Sequence, residues 1–275
     1  MTAKSQPNFP GQKFHARAKF IPDPATGEMR LVMVQGFTFP MFNPNADAAA
    51  QKRDGVAEAA PEDAAADKAA PSMADVERAT RRAKIAAFDK ILCNPDLDTF
   101  ATFTFAPGFV TDKADWQDCY SYLKTWLSNR VQRSGLKYVI VPERHKSGDI
   151  HFHGILNSSA LRMERAYSAR TGRALTHAGN PLFNLPEWKG GFSSAEIIRG
   201  SGEDRTKVAK YIFKYMGKQT GQKIGGRYML SGGDLALPTY VYADSADTFL
   251  GDLVPVYDRV VDLGEGRQYM EYSFL

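Results

Sequence analysis

The sequence predicts an α+β fold in which a central antiparallel β-sheet of about five strands is covered by helices, in the manner of an RRM-like sheet. Three observations carry that expectation. From residue 99 to residue 219 the hydrophobic period alternates between strand-like and helical in the order β-α-β-β-β-α, with a helical segment before it. Two of the strand-like segments, 136–141 and 150–156, are separated by Lys146-Ser147-Gly148-Asp149, a turn composition that joins antiparallel neighbours. The chain has 275 residues, 43% of them hydrophobic, which is ample for a core. No internal repeat interrupts this pattern.

Two short apolar runs, 15–21 and 31–39, flank Pro22-Asp23-Pro24, and the first alternates as a half-buried strand does. Residues 1–42 are therefore expected to form a small β element. Residues 43–73 hold Ala, Asp, Glu and Lys with almost no large apolar side chain. Such a stretch cannot offset its chain entropy by burial, so a disordered linker is expected there. From Ala74 the pattern is helical, with Val76, Ala79, Ala83, Ala86 and Ala87 at steps of three and four until Asn94-Pro95 ends it. Residues 99–105 alternate Phe100, Thr102 and Thr104 against Ala101, Phe103 and Phe105. Residues 114–133 form an amphipathic helix carrying Trp116, Tyr120, Leu123, Leu127 and Val131. A further strand is expected over 192–198 and a helix over 204–219, with Asp204 as its N-cap. The main domain is thus expected to span 74–240, and residues 241–275 a C-terminal extension.

Bulk properties narrow the class. No apolar run approaches the roughly 18 residues that span a bilayer, and the first residues have no apolar signal core, so a membrane or exported protein is not expected. The two cysteines, Cys93 and Cys119, suit a reducing cytoplasm and cannot build a disulfide framework. The net charge of +4 permits nucleic-acid binding without requiring it, and the acids gathered between Asp47 and Asp75 leave the rest more basic.

Two elements carry chemistry. In His151-Phe152-His153 the imidazoles, two apart in a strand, share one face while Phe152 points into the core. Two neutral imidazoles suit a divalent cation such as Mg²⁺, Mn²⁺ or Zn²⁺, which usually takes a third protein ligand. A three-residue hairpin loop with Gly148 left-handed sets Glu143 opposite a histidine; a two-residue loop turns Glu143 to the other face. His145 shares the parity of Glu143 and is the rival ligand, whereas His177 reads as a surface residue. The second element is Tyr211-Ile212-Phe213-Lys214-Tyr215-Met216-Gly217-Lys218. On a helix Tyr211 and Tyr215 stack on one face, and Lys214 and Lys218 repeat the spacing on a neighbouring stripe. A phenol, with its pKa near 10, becomes a useful nucleophile when a metal polarises the phosphate it attacks and a lysine meets the developing charge. The plain alternatives are a polar sheet face and two core tyrosines, and it is the combination of the two elements that favours chemistry.

That combination resembles the HUH endonuclease superfamily, and within it the rolling-circle replication initiators related to those of filamentous phages. The resemblance covers roughly residues 74–239. Its landmarks include Phe100-Ala101-Thr102-Phe103-Thr104-Phe105, Lys137-Tyr138-Val139-Ile140-Val141-Pro142-Glu143, His151-Phe152-His153-Gly154, Trp188-Lys189-Gly190-Gly191 and the tyrosine segment. It implies a fold of the HUH type, a divalent metal (Mg²⁺ or Mn²⁺) held by His151, His153 and Glu143, and Tyr211 as nucleophile with Lys214 assisting. Tyr215 would be a second nucleophile, with Lys218 beside it. The implied activity is site-specific nicking and joining of single-stranded DNA at a replication origin, in the cytoplasm of a bacterial host. No Gly-x-x-x-x-Gly-Lys-Ser/Thr motif occurs, so a host helicase and DNA polymerase are the implied partners. Arg130, Arg133, Arg199, Arg205 and Lys207 are candidates for backbone phosphates. Trp188 could stack on a base, although core packing suits it better. The competing expectations are a relaxase or transposase of the same superfamily, and a non-catalytic RRM-like module displaying aromatic side chains on an open sheet face.

Overall fold

The computed structural model describes residues 14–22, 29–39, 72–198, 209, 212, 215–216, 223–243, 249, 257–264 and 267–274. In chain order β1 (Phe14–Pro22) and β2 (Met29–Phe39) are followed by α1 (Met73–Leu92), β3 (Leu97–Phe103) and α2 (Trp116–Ser134). Next come β4 (Tyr138–Arg144), β5 (Ile150–Asn157) and four two-residue strands, β6 (Glu164–Arg165), β7 (Thr176–His177), β8 (Asn180–Pro181) and β9 (Phe183–Asn184). Then follow β10 (Ser193–Ile197), β11 (Leu230–Gly232), β12 (Thr239–Ala243), β13 (Tyr257–Gly264) and β14 (Arg267–Phe274). The chain divides into two compact units, one of Asp54–Ala236 and one that joins Met1–Arg53 to Leu237–Leu275.

In the larger unit a seven-stranded sheet runs β11-β4-β5-β3-β10-β9-β6, and its pairings are antiparallel. The α+β class expected from periodicity is the class observed. The four strands legible in the sequence, β4, β5, β3 and β10, are adjacent at its centre. The other three are two or three residues long, too short to show a period of two.

Alternation along the central strands gives the sheet two packed faces. On one, Ala101, Phe103, Ile140, Phe152 and Leu156 pack with Cys119, Leu123, Trp126 and Leu127 of α2. On the other, Val139, Val141 and Ile155 pack with Ala87 and Ile91 of α1 and with Ala209, Ile212 and Met216. Phe152 is fully buried on the α2 side, which turns its neighbours His151 and His153 toward the α1 side.

Each helix is set by its ends. Ser72 and Asp75 close a capping box on α1, so the helix begins slightly before the expected position and takes Ser72 and Met73 from the expected linker. The linker up to residue 71 lies outside the described residues. Beyond the C-terminal end of α1 the Asn94 amide donates to the carbonyls of Lys90 and Ala236, and its Oδ1 accepts from the Ala236 N–H. Asp115 caps the start of α2, and Gly135, with φ 68°, takes the left-handed position at its end. The expected helix over 204–219 is described at Ala209, Ile212, Tyr215 and Met216, all helical; its expected cap, Asp204, lies outside the described residues.

The smaller unit is a five-stranded sheet in the order β12-β1-β2-β14-β13. β1 pairs with β12, and β2 pairs with β14. The early β element therefore shares a sheet with strands from the C-terminal part of the chain. Ala18, Leu31, Met33, Met270 and Tyr272 form its core, and Arg30 pairs with the buried Glu271. No helix among the described residues is long and apolar enough to cross a membrane.

Candidate active site

The site is built on the hairpin of β4 and β5. Glu143 pairs with His151 and Val141 with His153, so the carboxylate and both imidazoles share a face. The turn that fixes this register has the His145 N–H donating to the Asp149 carbonyl and the Gly148 N–H donating to the His145 carbonyl, at 2.8 and 2.9 Å. Residues 146–148 therefore form the three-residue loop considered from the sequence, and Gly148 supplies a φ of 94°. The loop is pinned in place. Arg144 donates to the carbonyls of Ala114 and Gly148, Lys113 pairs with Asp149 at 2.9 Å, and the Ile150 N–H donates to the Lys113 carbonyl. β11 covers only Tyr138–Ile140 of β4. At Pro142 the outer edge of β4 is thus unpaired among the described residues, a position where a strand tolerates proline.

At the centre, His153 Nε2 lies 2.7 Å from Glu143 Oε2, and both side chains are buried. His153 Nδ1 lies 3.0 Å from the Thr102 hydroxyl on β3. A hydroxyl donates or accepts as required. It can donate to Nδ1 while Nε2–H donates to the carboxylate, or accept from Nδ1–H while Nε2 keeps a lone pair for a cation. The site thus suits either a proton or a metal between the imidazole and the carboxylate. His151 stacks on His145, with ring centroids 5.0 Å apart. Burial, then the neighbouring His145, pushes its pKa below the ordinary value against the pull of Glu143 and Asp149. That favours the neutral imidazole a metal requires. Among the described residues, no group of three or more His, Cys, Asp or Glu side chains is gathered as a ligand set. Glu143 and His153 converge, and His151 stands in register beside Glu143 with its ring on His145.

The tyrosine segment meets this face. The Tyr215 ring lies flat on the His153 ring, with centroids 3.9 Å apart and planes 17° apart, and Phe100 packs against both rings at 6.2 and 6.3 Å. Tyr211, Lys214 and Lys218 lie outside the described residues, as do Arg199, Arg205 and Lys207.

Outside this cluster, Trp188 is 3% exposed, and its ring sits among Phe103, Phe105, Tyr122 and Trp126 with its indole N–H donating to the Thr104 carbonyl. It is a core residue of the α2 face and not a base-stacking one. Arg130 pairs with Glu187, and both Arg130 and Arg133 belong to α2, on the opposite side of the sheet from the imidazoles. His177 is exposed, as expected, but its Nδ1 lies 2.9 Å from a Glu196 carboxylate oxygen. The sequence reading did not assign Thr102 and Phe100 to the site. Their signal was available in the alternation of β3, which sets Phe100, Thr102 and Thr104 on one face.

No curated protein and no solved structure matches the chain. Residues 98–220, which run from β3 to the tyrosine segment and include every candidate site residue, match the model of a replication-associated protein family of the ORF2 type, a similarity consistent with a phage or plasmid replication initiator.

Proposed function

We propose that this chain is a metal-dependent DNA nicking and joining enzyme that initiates rolling-circle replication of a phage, plasmid or related element. The observation that carries the proposal is the stack of Tyr215 on His153. It sets the tyrosine-bearing segment against the face on which Glu143 and His153 converge. Glu143, His151 and His153 would hold a divalent cation, Mg²⁺ or Mn²⁺, which supplies polarisation of the scissile phosphate when bound.

The protein's own residues then act as follows. The Tyr211 phenol oxygen bonds to phosphorus as the bond from phosphorus to the 3′ oxygen breaks. The phenol proton ends on that oxygen, leaving a 5′-phosphotyrosine and a free 3′-hydroxyl that primes a polymerase. Lys214 sits close enough in sequence to meet the developing phenolate charge, with Lys218 in the same relation to Tyr215. One phosphodiester replaces another, so the reverse reaction rejoins the strand. Thr102 sets the His153 ring in either tautomer, and Tyr215 holds it from one side. An RRM-like binding module is less well supported, because both sheet faces are covered by helical residues.

The test is covalent capture. Incubated with Mn²⁺ and an origin single strand, the full chain should form a protein–DNA band resistant to denaturation. Tyr211→Phe should lose the band, and His153→Ala should lose both metal dependence and cleavage. No band with the native protein on any strand of its element would reject the enzyme. A band that persists in Tyr211→Phe and disappears in Tyr211→Phe/Tyr215→Phe would move the chemistry to Tyr215. Transfer of the captured strand to a second DNA end without replication would favour a relaxase or transposase.

A further inference from the structure

Between β5 and β10 the chain makes an excursion whose composition is unlike its surroundings. From Arg165 to Pro186 there is no Asp or Glu, while Arg165, Arg170, Arg173 and His177 all occur. The excursion is folded into two prongs. Ala166, Leu175 and Leu182 meet through backbone hydrogen bonds of 2.9 to 3.1 Å, which form the common base. One prong, residues 167–174, is closed by the Tyr167–Ala174 bridge and by the Gly172 N–H donating to the Ser168 carbonyl. Gly172, with φ 66°, turns its tip. The other prong is the β7–β8 hairpin, and it is anchored. Glu196 on β10 accepts from the Asn180 amide at 2.8 Å and bonds to His177 at 2.9 Å.

That anchor lies on the face of the candidate site. Glu196 pairs with Phe100, and Ser194 pairs with Thr102, the residue opposite His153. Two strand spacings and one two-residue step along the strand separate Glu196 from His153, roughly 12 Å. Phe100, whose ring stacks on His153, fills the interval. The free prong carries Tyr167, which is 59% exposed, together with exposed Arg170 and Arg173. An exposed aromatic ring beside two guanidinium groups is the chemistry that takes an unstacked base and its flanking phosphates. A duplex offers no free base face to such a ring.

We infer that the 167–174 prong is a docking arm for single-stranded DNA that continues beyond the scissile phosphate, with Tyr167 stacking on a base and Arg170 and Arg173 on the backbone. The inference rests on the nicking function proposed above. The distance from the site corresponds to on the order of four nucleotides at the spacing of phosphates in a stacked strand. Because the prong is braced by its own hydrogen bonds, little ordering accompanies binding.

The experiment measures binding of a fluorescein-labelled single-stranded DNA to the full chain by anisotropy over a series of salt concentrations. Tyr167→Ala should weaken binding about 5- to 100-fold, and Tyr167→Phe should restore it. Arg170→Gln/Arg173→Gln should reduce the slope of log affinity against log salt by about 1.4. All three positions are exposed, so melting temperatures should match the native protein. On an oligonucleotide too short to reach the arm, covalent capture by Tyr167→Ala should equal that of the native protein. Native affinity in Tyr167→Ala, or an equal loss on a blunt duplex of the same sequence, would overturn the inference. Failure of the two proposals is distinguishable. Capture by the native chain with no effect of the arm variants rejects the arm alone. Arm-dependent binding without any capture rejects the nicking reading and leaves the arm as a single-strand clamp.

Discussion

Gly154 follows His153 directly and faces the other way, into the α2 side of the sheet, where it pairs with Ile140 on one neighbouring strand and Ala101 on the other. A methyl group added there would lie 2.5 Å from Ile140 Cγ1 and 3.2 Å from the Val139 carbonyl oxygen. Carbon atoms in contact normally stand about 3.5–4.0 Å apart, so Gly154→Ala requires the Ile140 side chain or the β4 backbone to retreat by about an ångström. Ile140 is fully buried, and close-packed surroundings leave it little room. The expected cost is about 1–3 kcal/mol. At a denaturant dependence of about 2 kcal/mol per molar urea, the midpoint should fall by about 0.5–1.5 M. Part of the strain should reach the adjoining ladder positions, where a 2.7 Å contact joins Glu143 to His153, so covalent capture should fall beyond the loss of folded protein. Ile140→Ala should relieve the clash. In a double-mutant cycle the pair should cost less than the sum of the singles by about 0.5–3 kcal/mol. An unfolding midpoint for Gly154→Ala within about 0.2 M of the native value would refute the close approach of β4 and β5 at this point.

Alkaline pH offers a second test. The Cys119 thiol is pushed up to about 12, first by burial and then by Asp115, Asp118, Asp112 and Asp149, and burial pushes the Tyr138 phenol up to about 12 as well. Both groups bind their protons more tightly when folded. Their contribution is therefore complete below their ordinary ionisation range and is lost as pH rises toward 12. Melting temperatures should fall steadily from about pH 9 upward, and Cys119→Ala should flatten that fall; a flat profile up to about pH 11 would contradict the burial. Trp188→Ala should destabilise the larger unit by about 3–5 kcal/mol while the folded fraction keeps its affinity for single-stranded DNA. A selective loss of affinity in stable protein would return Trp188 to a base-stacking role.

The sequence made the centre of this fold legible because its central strands are long enough to alternate. Phe100 to Phe105 shows both faces of β3, and the His-Phe-His motif separates a buried phenyl from two imidazoles. The hairpin geometry was legible as a choice between two loops, and the parity of Glu143 followed once Gly148 took its left-handed turn. The docking arm was not legible, because its strands are two residues long and its form depends on backbone hydrogen bonds that leave no periodic trace. The contact between Glu143 and His153, one ladder step apart, depends on side-chain rotamers that no spacing encodes. Thr102 was missed because a threonine in a strand is ordinary; only the pairing of β3 with β5 sets its hydroxyl beside the imidazole. The union of β1 and β2 with β12 and β14 escaped for a different reason, since pairing between segments more than 200 residues apart is a property of topology and not of local pattern.

That union has a consequence for biosynthesis. β2 holds an inner position in its sheet, and the strand that completes it, β14, is among the last segments to leave the ribosome. Until then one edge of β2 is an uncapped row of amides and carbonyls, open to pairing with another nascent chain. The span from Asp54 to Ala236 can meanwhile collapse around its own core. Folding should therefore be vectorial in its middle and post-translational at its ends, and removal of β14 should leave the sheet of the smaller unit prone to aggregation while the larger sheet still forms.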